Sequence, residues 1–183
     1  MKKNKINENK KNILIKCNIC DKEIENNKFN LHLESHPGNI DDFIYIGSYF
    51  NATNLKELEK LNIKYILNCA VECKNLFEDK IIYKKIDLKD LIDFPIENYF
   101  DEAIEFINKC KEEKKGNLLI HCMQGKSRSS TILLAYLIKE KKMSTNEAFK
   151  FAKKKRKTIL PNLSFMTKLR EFEDNLNKIP NKK

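Results

Sequence analysis

The chain has 183 residues, room for one domain of about 150 residues plus something small. With 41% hydrophobic and 34% charged residues, most of it should be globular. Its net charge of +10 is carried by 33 lysines and only three arginines, with 22 asparagines beside them, so the basic surplus reads as compositional drift and points to no particular partner. The longest fully apolar run, Ile132 to Ile138, is far short of the roughly 20 residues that span a bilayer. No signal-peptide pattern or lipidation box is present, so a soluble protein of the cytoplasm or nucleus, with no membrane span, is expected. Six cysteines in such a compartment read as metal ligands or catalytic groups rather than disulfides.

In chain order, residues 1–12 form a Lys/Asn-rich basic arm, expected to be disordered. Residues 13–38 carry Cys17-x2-Cys20-x11-His32-x3-His36, close to the ligand spacing of a Cys2His2 zinc finger. His32 and His36 stand at i and i+4, one face of a helix. Ile15, Ile24 and Phe29 fall where a ββα finger places its small core. So short a unit cannot bury enough apolar surface to fold alone, and a structural Zn2+ would hold it together. One finger covers only about three base pairs. Its reading positions, Glu25, Lys28 and Leu31, suit base edges poorly. A protein partner is therefore expected at the finger, and sequence-specific nucleic acid is not.

Pro37-Gly38-Asn39 reads as a break. From residue 39 to 178 the pattern is a compact α/β domain, with residues 179–183 as a tail. Phe43 to Ile46 reads as a strand, and Leu55, Leu58 and Leu61 have helical spacing. Strands are also expected at Tyr65–Leu67 and Ile81–Ile86. Pro95 suits a helix start, ahead of an apolar face running from Tyr99 to Ile107. Ser144-Thr145-Asn146-Glu147 is a capping box, and Pro161 should open the last helix. Alternating strands and helices predict a mixed, mostly parallel sheet covered on both faces.

The most informative stretch is His121-Cys122-Met123-Gln124-Gly125-Lys126-Ser127-Arg128-Ser129-Ser130. Before it, Leu118 to Ile120 reads as a buried strand; after it, Thr131 to Ile138 reads as a buried helix. A loop between strand and helix aims backbone N–H groups at one point, a ready anion site. A cysteine there is held as thiolate by those N–H groups, the helix dipole and a nearby guanidinium. Arg128 is one of three arginines in the chain, and its planar fork matches phosphate oxygens two at a time.

His-Cys-x5-Arg-Ser resembles the signature of cysteine-dependent dual-specificity protein phosphatases. The resemblance extends to Ile44-Tyr45-Ile46-Gly47-Ser48, to the strand Ile63–Ala70, and to Pro161–Phe165 leading into Phe172-Glu173. It implies a protein-tyrosine-phosphatase-like fold and a reaction that needs no cofactor. By this resemblance Cys122 is the nucleophile. Met123, Gln124, Gly125, Lys126, Ser127 and Arg128 bind the phosphate. Ser129 helps the sulfur leave, and His121 orients the loop and tunes the thiolate. The general acid should lie in Ile86–Asp90. Asp90, 32 residues before Cys122, matches by pattern, with Asp93 and then Asp87 behind it. The implied substrate is a protein carrying phosphotyrosine, phosphoserine or phosphothreonine. The rivals are a phosphoinositide or RNA 5′-phosphate substrate, for which the basic run Lys150–Lys157 would serve, and a non-catalytic phosphate-binding scaffold. Some relatives place a cysteine near the position of Cys69, which would allow a reversible disulfide with Cys122.

Overall fold

The computed structural model describes residues 13–178; the arm expected over 1–12 and the tail over 179–183 lie outside the described residues. At the N-terminal end β1 (Leu14–Lys16) and β2 (Glu23–Glu25) form an antiparallel hairpin, followed by α1 (Asn26–Leu33). Ile15, Ile24 and Phe29 are only half-buried. Within residues 13–36 only Cys17 and His36 are buried, so this unit is centred on its would-be ligands and not on an apolar core.

His36 does not continue the helix, as the i, i+4 spacing had suggested. The α-helix stops at Leu33, and the chain tightens into i→i+3 turns, with Ser35 N donating to His32 O at 3.0 Å and His36 N to Leu33 O at 3.1 Å. The expected break at Pro37–Asn39 also takes a different form. Gly38–Asn39 is a short strand, β3, paired antiparallel with β4 (Ile44–Ser48). Backbone hydrogen bonding to a sheet edge outweighs the local turn chemistry of Pro-Gly-Asn.

Two short helices follow, α2 (Tyr49–Ala52) and α3 (Leu55–Lys60). The first is too short to show a period in sequence and is held by a capping box between Ser48 and Asn51. Next come β5 (Ile63–Asn68) and β6 (Ile82–Lys85). Pro95 leads into a 3₁₀ turn, Ile96–Tyr99, and then α4 (Phe100–Glu113). The strand before the signature is β7 (Asn117–Cys122), so Cys122 is its last residue. α5 (Arg128–Lys141) starts at the signature arginine, and α6 (Thr145–Lys155) opens on the expected Ser144/Glu147 capping box. The last helix, α7 (Leu163–Lys178), begins after Asn162 rather than at Pro161; Asn162 Oδ1 accepts from Phe165 N at 2.9 Å as an N-cap.

The central sheet has the order β3-β4-β7-β5-β6, parallel throughout except at β3. Alternate strand residues serve opposite faces. Ile44, Ile46, Tyr65, Leu67, Leu118 and Ile120 pack in the larger core with residues of α4 to α7. On the other face Ile63, Ile66 and Leu119 pack with Ala52 and Leu58. The predicted α/β class, a mostly parallel sheet flanked by helices, is what forms. Brought together at the carboxyl end of β7 are the loop 123–127 and the start of α5. Among the described residues no helix is long and apolar enough to cross a membrane.

Candidate active site

The signature loop is shaped by what its carbonyls do. Met123 O accepts from Tyr49 N at 3.1 Å, and Lys126 O from Leu160 N at 2.8 Å. Ser127 O accepts from both Thr131 N at 2.8 Å and Thr131 Oγ1 at 2.9 Å. These carbonyls are thus engaged by the surrounding structure, and the loop N–H groups are not. Those of Met123 to Ser127 meet no acceptor among the described residues. Gly125 makes the turn possible: its φ is +67°, and a Cβ there would lie 2.3 Å from Gly47 O. Cys122, 2% exposed, sits at the base of this cradle, and Ser129 Oγ donates to its sulfur at 3.2 Å.

Arg128 is buried, and its guanidinium is held by three acceptors. Nη1 donates to Glu72 Oε2 at 2.7 Å and to Leu88 O at 3.1 Å; Nη2 donates to Glu72 Oε1 at 2.6 Å. This bidentate pair takes one edge of the fork. Nε is buried and unpartnered, and it shares the remaining edge with the second N–H of Nη2. That leaves two parallel donors, the arrangement that matches two oxygens of a phosphate. The Arg128 hydrogen bonds hold the Glu72 carboxyl below its usual range. Glu72 carried no signal in the sequence, since it stands 56 positions from Arg128 and only the fold joins them.

Asp90 reaches the same cleft. Its Oδ1 accepts from Ser127 Oγ at 2.8 Å and from Asn162 Nδ2 at 3.0 Å. It lines the cleft with Cys122, Gln124, Lys126 and Arg128. Asp93 lines a neighbouring recess instead, and Asp87 faces Lys85 at 3.5 Å. His121 lies behind the loop, with Nδ1 3.4 Å from Cys122 O and its ring stacked on Tyr49. Burial pushes its imidazole down to about 4, so at neutral pH it is uncharged. It can orient the loop but lends the sulfur no positive charge. Cys69 is fully buried; burial first, and then the nearby Cys122 sulfur, push its thiol well above the ordinary range.

The four expected metal ligands also converge. Cys17 Sγ, Cys20 Sγ, His32 Nε2 and His36 Nε2 all lie within 4.8 Å of one another. The closest approaches are Cys17–His36 at 3.5 Å, Cys20–His32 at 3.3 Å and His32–His36 at 3.2 Å. Tetrahedral zinc, with bonds of roughly 2.0–2.3 Å, separates its donors by about 3.3–3.8 Å. Two soft thiolates and two imidazoles at these separations fit that ion.

The profile of the dual specificity phosphatase catalytic domain matches residues 44–175. This chain belongs to the dual-specificity phosphatase family. It is 42% identical to human "Dual specificity protein phosphatase 4" over 143 residues, 78% of this chain and 36% of that protein. Mouse "Dual specificity protein phosphatase 1" is 39% identical over 143 residues, 78% of this chain and 39% of that protein. The chain thus spans little more than a third of the length of these relatives. Among solved structures, DUSP15 superposes with a TM-score of 0.74 at 28% identity, covering 79% of this chain and 91% of that one. The human tyrosine phosphatase-like serine/threonine/tyrosine-interacting protein gives 0.73 at 27%, covering 78% and 99%. Residues 13–43, with the Cys/His cluster, lie outside the matched family domain.

If Glu72 aims the fork, Glu72→Ala should weaken binding of tungstate, a phosphate mimic, by about 10- to 100-fold. Titration calorimetry reads this without turnover. Unchanged affinity would mean that the loop alone sets the arginine.

Proposed function

We propose that this chain is a catalytically active dual-specificity phosphatase that removes phosphate from phosphotyrosine, phosphoserine and phosphothreonine in proteins. The observation that carries this reading is the free Nε/Nη2 edge of Arg128 beside the cradle that holds Cys122. The family fold alone is not enough, since it also serves a protein named only as phosphatase-like. Here the cysteine, the arginine and an aspartate share one cleft.

In the first step the Cys122 sulfur attacks phosphorus in line, forming the S–P bond as the P–O bond to the leaving group breaks. The loop N–H groups and Arg128 hold the equatorial oxygens and their developing charge. Asp90 gives its proton to the departing oxygen. Both of its hydrogen bonds fall on Oδ1, which leaves Oδ2 to carry that proton. In the second step a water attacks phosphorus, its proton passes to the Asp90 carboxylate, and the S–P bond breaks. The Ser129 hydroxyl, already donating to the sulfur, stabilises the thiolate as it leaves. His121 holds the loop backbone and transfers no proton.

A protein substrate fits the cleft better than a phosphoinositide. Glu72 offsets Arg128 there, leaving Lys126 as the one further cation in the lining for additional phosphates. The basic stretch lies elsewhere: Lys154, Lys155, Arg156 and Lys157 border a separate recess with His36 and Glu34. Six free cysteines suit a reducing compartment such as the cytoplasm or nucleus.

A structural zinc ion at Cys17, Cys20, His32 and His36 is the second part of the proposal. It would tie hairpin to helix and take no part in the chemistry. The exposed Leu14 and Leu31 of that unit are where a protein partner would bind.

Cys122→Ser should abolish hydrolysis of phosphopeptides. Asp90→Asn should cut kcat by about 10²- to 10⁴-fold with a phosphotyrosine peptide. It should act far less on an activated aryl phosphate, whose leaving group needs no proton. Equal losses on both substrates would remove Asp90 from the role. Elemental analysis of the purified chain should find one zinc per molecule, lost in Cys20→Ser; a wild-type protein free of zinc would remove the metal.

A further inference from the structure

His36, the last of the four clustered donors, is also where the N-terminal unit meets the catalytic domain. Its Nε2 faces the other donors, and its Nδ1 faces Glu57 Oε1 on α3. Glu57 is 4% exposed, and a carboxylate so buried is costly without a partner. An Nδ1–H donated to it fixes the tautomer in which Nε2 offers its lone pair outward.

Two braces run on from this point to the phosphate-binding loop. The first passes through Asn51, which is fully buried. Asn51 Nδ2 donates to Ser35 O at 2.8 Å and lies 3.5 Å from Glu57 Oε2. Its Oδ1 accepts from Ser48 N at 2.9 Å. The next residue, Tyr49, donates its N–H to Met123 O. The second brace starts at His36 O, which accepts from Arg156 Nη1 at 2.7 Å. Arg156 opens the short segment that ends at Leu160, whose N–H pins Lys126 O. Two of the three carbonyls that shape the loop, those of Met123 and Lys126, are therefore tied back to Ser35 and His36.

We infer that Glu57 is the outer partner of the metal cluster, and that metal binding in the N-terminal unit stabilises the phosphate-binding loop. The inference rests on the zinc reading above and deepens it. The finger becomes a part of the catalytic domain and not a separate module. The matched family domain contains Glu57 but none of the four donors, so the coupling would belong to this chain's own N-terminal addition.

The experiment uses the full chain, wild type and Glu57→Gln, with zinc itself as the probe. Zinc affinity is read by competition with a chromogenic chelator, and thermal unfolding by near-ultraviolet circular dichroism with and without zinc. Tungstate affinity reports on the loop. Glu57→Gln should weaken zinc binding by about 10- to 100-fold. Stripping zinc from the wild type should lower the unfolding temperature of the whole chain and weaken tungstate binding several-fold. Both effects should shrink in Glu57→Gln, as a double cycle requires of coupled groups. Equal zinc affinity in the two proteins would overturn the inference. So would a stripped wild type whose tungstate affinity and main unfolding transition are unchanged, an arm that needs no variant to fold. A wild type that binds no zinc at all would instead sink the metal reading itself.

Discussion

Arg128 has five N–H donors, and the protein uses three of them. Glu72 takes a pair and the Leu88 carbonyl takes a third, which leaves one complete edge of a buried, permanently charged group without a partner. Leaving a buried donor unmade is expensive. Such an arrangement persists only where the surrounding structure enforces it, and here the enforcing parts can be named. β7 ends at Cys122 beside β4, α5 begins at Arg128, and Glu72 stands just beyond the end of β5. A tetrahedral dianion entering the cradle would satisfy that edge and the loop N–H groups together. Affinity for phosphate and alignment with the sulfur then share one cause.

Around this core the supporting contacts are mostly backbone to backbone. They hold the loop by its carbonyls, so they constrain its shape without fixing which side chains project from it. Gly125 is the exception, because its left-handed φ and its closeness to Gly47 O leave no room for a side chain. Asp90 is tied to the loop as well, through Ser127 and Asn162. Asp90 and the cradle are thereby positioned by the same few residues. In the N-terminal unit the same logic holds with a different centre. With no fully buried apolar side chain apart from Cys17, that unit is centred on its Cys/His cluster and on contacts with Glu57, Asn51 and Arg156.

Much of this was legible in sequence, for definite reasons. The strand-loop-helix around Cys122 announced itself because three apolar residues, a glycine-containing loop and a long apolar run are local features. Ser144/Glu147 was readable because a capping box spans only four residues. Cysteine and histidine are scarce in this chain, so their spacing stood out. What could not be read is what the fold brings together from a distance. Glu72 and Arg128, Glu57 and His36, and Asn162 and Asp90 are each joined by tertiary structure alone. The edge pairing of β3 overrode the turn residues that carry it, and α2 is too short to have a period. The spacing of His32 and His36 predicts one helix; a tighter turn after Leu33 brings them together instead. The downward shift of the His121 imidazole is a consequence of burial, which composition does not disclose.

The central claim is that a phosphoryl group passes onto Cys122 while the Arg128 edge grips its oxygens. Ser129→Ala removes the hydrogen bond to the Cys122 sulfur; if that bond helps the sulfur leave, the second step should slow and the intermediate should accumulate. Mixing that variant with a phosphopeptide, quenching in denaturant within a turnover and mapping the chain by mass spectrometry tests this directly. The account predicts one phosphoryl group, carried on the peptide that contains Cys122. Steady release of phosphate with Cys122 never modified, or with the phosphoryl group on another residue, would contradict it.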